Sequence, residues 1–162
     1  MDAFNTANVV LGGGMSSRLF QKIREEQGLC YSIYSYPSYY KDNGTIEIYS
    51  GVSTEFRDKA FKSILEEIER FRDKGITANE LIRGKEQMKS SLILGQESTS
   101  SQMLLYGKYL MRFNKLFDFD EKIKIYNDLT LEGINKVISS MFDFNKMATS
   151  TLGPSRKKMI NK

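Results

Sequence analysis

An α+β fold, a mainly antiparallel sheet covered on one face by helices, is predicted by three features of the sequence. Two segments rich in β-branched and aromatic residues, 30–36 and 45–52, flank Asp42-Asn43-Gly44, whose residues tolerate positive φ, so the region reads as a hairpin. In the second segment Ile46, Ile48 and Val52 alternate with Thr45, Glu47 and Tyr49, leaving one face for a core and one for water. Most of the remaining chain repeats its apolar residues at helical spacing.

The elements follow in order. Phe4, Ala7, Val10 and Leu11 mark a first helix over 2–11, and Gly12-Gly13-Gly14 interrupts it. A second helix is expected from Ser16 or Ser17, whose hydroxyl would cap its free amides. Leu19, Phe20 and Ile23 form its apolar face, and Gly28 is placed as its stop. After the hairpin, Phe56, Ala60, Phe61, Ile64, Leu65, Ile68 and Phe71 mark a long amphipathic helix from Thr54 to Lys74-Gly75. Thr77-Ala78-Asn79-Glu80 then fits a capping box opening a helix that runs to Leu94-Gly95. Three further helices are expected over 98–111, 120–129 and 131–141, with Asp118 and Thr130 as caps of the last two. A final strand is expected over 146–152, ended by Gly153-Pro154.

Length and composition limit the function classes. A chain of 162 residues suits one domain, and 40% hydrophobic content supplies enough apolar surface for a core. The net charge of +4 is dispersed, apart from Arg156, Lys157, Lys158 and Lys162 in the tail, which argues against a nucleic-acid partner. No run of apolar residues reaches the length of a membrane span, and no basic-then-apolar signal opens the chain, so no membrane partner is expected. Cys30 is the lone cysteine, which excludes an internal disulfide and suits the cytoplasm. It falls in an apolar strand pattern and reads as a buried thiol rather than a nucleophile. The chain has no histidine, so neither a histidine general base nor a histidine zinc site can be built from it.

The glycine run lacks the spacing of a phosphate loop and follows a helix rather than a strand, so it reads as a bend where chain segments pack closely. Arg24 has no acidic residue three or four positions away, so its partner is expected off its own helix. Tyr31 opens the first strand, where a phenol can present an apolar body and a polar tip at a site rim.

Taken as a set, Leu11-Gly12-Gly13-Gly14, Ser16-Ser17-Arg18-Leu19-Phe20, Arg24-Glu25 and Gly28-Leu29-x-Tyr31 resemble the start of the C-terminal half-domain of the insulinase/pitrilysin-type zinc metallopeptidases, the processing-peptidase family. The resemblance covers nearly the whole chain and implies a single non-zinc-binding half-domain over 1–162. It implies that zinc is bound outside this chain, through an H-x-x-E-H motif and a distal glutamate of an N-terminal half. It also implies that Arg24 and Tyr31 act as auxiliary catalytic residues, meeting the backbone of an unfolded peptide substrate and its oxyanion. The expected partners are that peptide and the zinc-binding half or a partner subunit, with homo-oligomer formation open. A catalytically silent peptide-binding or scaffold subunit of the same family is the alternative.

This sequence departs from the family pattern in having no H-x-x-E-H, and in lacking the strand that the family places before its first helix. The chain is therefore expected to be a fragment of a longer protein, inactive alone, with an unfilled sheet position and an exposed apolar face.

Overall fold

The computed structural model describes residues 1–40 and 43–154. In chain order these form α1 (Asp2–Gly12), a π-helical segment Phe20–Glu26, β1 (Ser32–Tyr39), β2 (Gly44–Gly51), α2 (Arg57–Lys74), α3 (Ala78–Gly95), α4 (Thr99–Phe113), α5 (Phe119–Asp128) and α6 (Leu131–Met141). The class is α+β, as expected. β1 and β2 pair antiparallel, with Tyr34 opposite Tyr49 and Ser35 opposite Ile48. α1 crosses the inner face of β1 and packs in turn on α3 and α6.

The core lies where these elements meet. Leu11 of α1, Leu19, Ile23, Ile33, Phe71 of α2 and Ile134 and Ile138 of α6 are buried together. Burying each side chain of this size contributes about 1.5–3 kcal/mol. The alternation in β2 behaves as its sequence implies: Ile46 and Ile48 pack toward the core while Thr45, Glu47 and Tyr49 face water.

Local chemistry sets the boundaries. Gly12 brings α1 so near β1 that a Cβ would run into the Ser35 hydroxyl and lie 2.7 Å from the Ser35 nitrogen. The opening glycine is thus a packing device. Gly75 ends α2 at φ +65, a conformation that disfavours side chains. The next residue's N–H donates to Asn135 Oδ1 at 2.8 Å, which joins this turn to α6. Thr77 and Glu80 form the expected capping box on α3. The Asp118 and Thr130 side chains accept from Glu121 and Gly133 N–H groups and cap α5 and α6.

Four expectations are corrected. The final strand over 146–152 is absent: Phe144–Lys146 is a 3₁₀ turn, and the following residues, Leu152 among them, are exposed with no neighbouring strand to supply ladder bonds. β-rich composition cannot make a strand without a paired edge. β1 begins and ends later than expected, at Ser32 and Tyr39, because the chain still turns through Cys30 and Tyr31. The long helix starts at Arg57, since Thr54, Glu55 and Phe56 form the turn that leads into it. Ser17 does not cap the second helix; it is buried, and its hydroxyl donates to the Gly14 carbonyl at 2.6 Å. Asp42 of the expected hairpin turn and the basic cluster Arg156, Lys157, Lys158 and Lys162 lie outside the described residues.

Apolar surface is exposed on α4, none of whose residues is buried and whose Met103, Leu104 and Met111 face solvent. No helix among the described residues is long and apolar enough to cross a membrane.

Candidate functional site

The site is built where the π-helical segment turns into the sheet. Leu19 and Ile23 hold the inner side of this helix in the core, which directs the intervening positions outward. Phe20 is half-buried against the same core, and the Arg24 guanidinium lies over its ring at 4.7 Å from the centroid. Residues four apart on a helix are neighbours, so the ring forms a shelf for the cation. Glu25 Oε1 stands 3.7 Å from Arg24 Nε, on the exposed side. This corrects the expectation that the partner of Arg24 lies off its own helix: an aromatic ring at the fourth position and the adjacent carboxylate serve it. The guanidinium remains accessible, which leaves its outer N–H groups open to a further acceptor.

Gly28, at φ +61, reverses the chain after the helix. The Leu29 N–H returns to the Ile23 carbonyl at 3.0 Å and the Gly28 N–H to the Arg24 carbonyl at 3.1 Å. Gln27 Oε1 accepts from the Ser63 hydroxyl at 2.8 Å and fastens this end to α2. Tyr31 follows one residue before β1; its N–H donates to the Gly51 carbonyl at 2.8 Å, while its side chain is 79% exposed. The backbone is therefore fixed and the phenol free.

Between them stands Cys30. Burial pushes its thiol up, while a hydrogen bond with Ser50 and the charge of Arg24 pull the other way. Cys30 is half-buried against the core rather than fully buried as expected, and a thiol held protonated is a poor nucleophile. The effect of Arg24 on Cys30 also places the guanidinium within electrostatic reach of the residue preceding Tyr31. No hydrogen bond joins the Arg24 and Tyr31 side chains themselves.

The motif carries a second arginine whose role the sequence did not reveal. Arg18 donates from Nε to Glu80 Oε1 at 2.6 Å and from a terminal nitrogen to Glu80 Oε2 at 2.8 Å, and also reaches the Gly75 carbonyl at 2.9 Å. The hydrogen bond from Arg18 is the chief reason the Glu80 carboxyl is pulled down to about 2. Glu67, buried beside them at 3.9 Å from Arg18, is pushed up by burial. Arg18 is thus a structural pin that carries the start of the helix bearing Arg24 onto α2 and α3.

The chain has no histidine, and among the described residues no cluster of three cysteine, aspartate or glutamate side chains is placed to hold a metal. These residues do not fit a zinc site.

The architecture is that of an α+β peptidase half-domain. A peptidase M16 inactive domain from Pseudomonas fluorescens shares it at TM-score 0.76 and 21% identity, over 88% of this chain and 34% of that one. A protease from Helicobacter pylori does so at TM-score 0.73 and 22% identity, over 86% and 34%. The chain belongs to the Peptidase M16 inactive domain family, whose sequence profile matches residues 2–88. Zinc protease YmxG of Bacillus subtilis, itself uncharacterised, is 42% identical over 148 residues, covering 91% of this chain and 36% of the relative. An uncharacterised zinc protease of Streptomyces coelicolor is 31% identical over 99% of this chain and 35% of its own length. The chain thus spans about a third of the length of the curated relatives it matches. The family expected from the glycine, Arg24 and Tyr31 motif is the family found.

Proposed function

We propose that this chain is the substrate-clamping half of a zinc-dependent endopeptidase acting on unfolded peptides, with the zinc held by an N-terminal half or a partner subunit. The observation that carries this reading is the arrangement of Arg24 and Tyr31 on either side of the Gly28 turn. The guanidinium is spread over Phe20, and the phenol projects from a backbone tied to Gly51. The fold fixes the Arg24 side chain on Phe20 and the backbone of Tyr31, and both side chains offer donors to solvent.

A guanidinium presents two parallel N–H groups to backbone carbonyls of an extended peptide, and a phenol donates one hydrogen bond to a developing oxyanion. Neither group takes up a proton in these roles. The metal and the activation of water belong to the other half. The relatives named zinc proteases, about three times the length of this chain, support that division.

In the longer protein, Arg24→Ala and Tyr31→Phe are each expected to lower kcat/KM for an unfolded peptide by about 10- to 100-fold. Melting temperature should stay unchanged, because both side chains are exposed. Tyr31→Phe should act mainly on kcat and Arg24→Ala on KM as well. Unchanged kcat/KM in both variants would remove the role.

The absence of histidine keeps a second reading in view, a catalytically silent peptide-binding or scaffold subunit. An intact H-x-x-E-H in the other half selects the enzyme, and its loss selects the silent subunit.

A further inference from the structure

Glu67, on α2, is a buried carboxylate that the reading above leaves unused. Its side chain is 6% exposed, and among the described residues no hydrogen bond reaches either of its oxygens. Three cations surround it without closing on it. The Arg18 nitrogen that Glu80 does not engage stands 3.9 Å away, and exposed Arg70, on the same helix as Glu67, stands 3.7 Å away. The Lys22 ammonium bears on it from one turn beyond Arg18, while pairing with Glu26 at 2.6 Å. Glu80 is the other carboxylate nearby, and it holds Arg18 through the two remaining nitrogens.

A carboxylate in this position either stays neutral or ionises and draws a cation into hydrogen-bonding range. Neutral, Glu67 leaves Arg18 wholly on Glu80. Ionised, it competes with Glu80 for the guanidinium and with Glu26 for Lys22. Both cations belong to the helix that carries Arg24, so the contest is felt along that helix. Burial is the largest influence on Glu67 and outweighs the pull of Arg18, Arg70 and Lys22, so its titration lies above the ordinary glutamate value.

We infer that Glu67 is a proton-operated latch on the helix bearing Arg24: ionised, it pulls Arg18 and Lys22 toward α2 and loosens the pin; neutral, it leaves the pin closed on Glu80. Glu67 is a positioning residue, since it acts through Arg18. The latch rests on this cluster alone, and its bearing on affinity rests on the reading that Arg24 and Tyr31 hold a peptide. Proton uptake at Glu67 tightens that hold, and rising pH relaxes it.

The arginine Nε–H signals of the chain, followed by NMR across the acid and neutral range, test the latch. The Arg18 and Arg24 signals should share a midpoint with the Glu67 carboxyl carbon, above the ordinary glutamate value. Glu67→Gln keeps the shape and cannot ionise, so it should remove that shared component. Glu25 and Glu26 are present in both proteins, so the difference isolates Glu67. An Arg18 signal that ignores the Glu67 midpoint overturns the latch, as does a shift that survives Glu67→Gln. So does an Arg18 signal that moves while Arg24 stays still. A fluorescein-labelled unfolded peptide, read by anisotropy, should bind about fivefold more tightly below the midpoint than above it, and Glu67→Gln should abolish that difference. If the peptide does not bind, or binds alike on both sides while the NMR signals share the midpoint, the clamping reading falls and the latch stands. If the peptide binds and Arg24→Ala weakens it, but no shared midpoint is found, the latch falls and the clamping reading stands.

Discussion

Arg18 and Glu80, 62 residues apart in the chain, meet in a two-pronged ion pair whose carboxylate also caps α3. Glu80 Oε2 accepts from the Thr77 N–H at 2.8 Å as well as from Arg18 at 2.8 Å. One side chain thus starts a helix and pins the glycine-flanked turn that leads to Arg24.

Glu80→Gln keeps the shape and removes the charge, so it should cost about 1–3 kcal/mol, the usual worth of a charge-assisted hydrogen bond. For a chain of this size each kcal/mol lowers the melting temperature by about 2–4 °C. Arg18→Lys should also destabilise, because an ammonium cannot make the paired contact. Thermal unfolding checks both; unchanged melting in Glu80→Gln would mean that the pair is idle.

The same pair gives a pH dependence. With its pKa held near 2 against an ordinary value of 4.5, Glu80 stabilises the fold fully above pH 4.5. That contribution is lost as pH falls toward 2. Glu67 has the opposite sign: burial raises its pKa, so the fold loses stability from it as pH rises through its titration. Urea unfolding across pH 2 to 7 should show a flatter acid limb in Glu80→Gln. Glu67→Gln should be at least as stable as the parent at neutral pH. A Glu67→Gln protein that is clearly weaker there would refute this sign.

Gly12 and Gly107 should respond to alanine in opposite directions. A Cβ at Gly12 meets the Ser35 backbone at 2.7 Å, so Gly12→Ala must push α1 off β1, at a cost of about 1–3 kcal/mol. Gly107 lies within α4 with nothing near its missing Cβ, and Gly107→Ala should gain about 0.5–1 kcal/mol. Denaturant midpoints decide it, and a tolerated Gly12→Ala would contradict the close approach.

Cys30 reports on the placement of Arg24. The guanidinium opposes the burial that holds the thiol protonated, so Arg24→Ala should move the pH profile of iodoacetamide alkylation to higher pH. An identical profile would put the guanidinium out of reach of the residue before Tyr31.

Much of this fold was legible where the determinants are local. The Thr77 and Glu80 capping box, the Asp118 and Thr130 caps and the Gly28 and Gly75 stops each depend on a few adjacent residues. The family motif likewise marks Arg24 and Tyr31, whose side chains are both exposed. What escaped depends on residues far apart or on a neighbour of the wrong type. Charge spacing shows no helix partner for Arg24 because that partner is the Phe20 ring at the fourth position, not a carboxylate. The bridge from Arg18 to Glu80 spans separate elements and has no sequence spacing to betray it. The expected strand over 146–152 failed because composition describes a segment and pairing requires a second one.

The most direct measurement is the NMR spectrum of the ring carbons of the nine tyrosines while an unfolded peptide is titrated onto the chain. The Tyr31 ring signal should shift on binding, and Arg24→Ala should abolish the shift at the same peptide concentration. Shifts confined to Tyr106, Tyr109 and Tyr126, or a Tyr31 signal that never moves, would contradict a peptide clamp built from Arg24 and Tyr31.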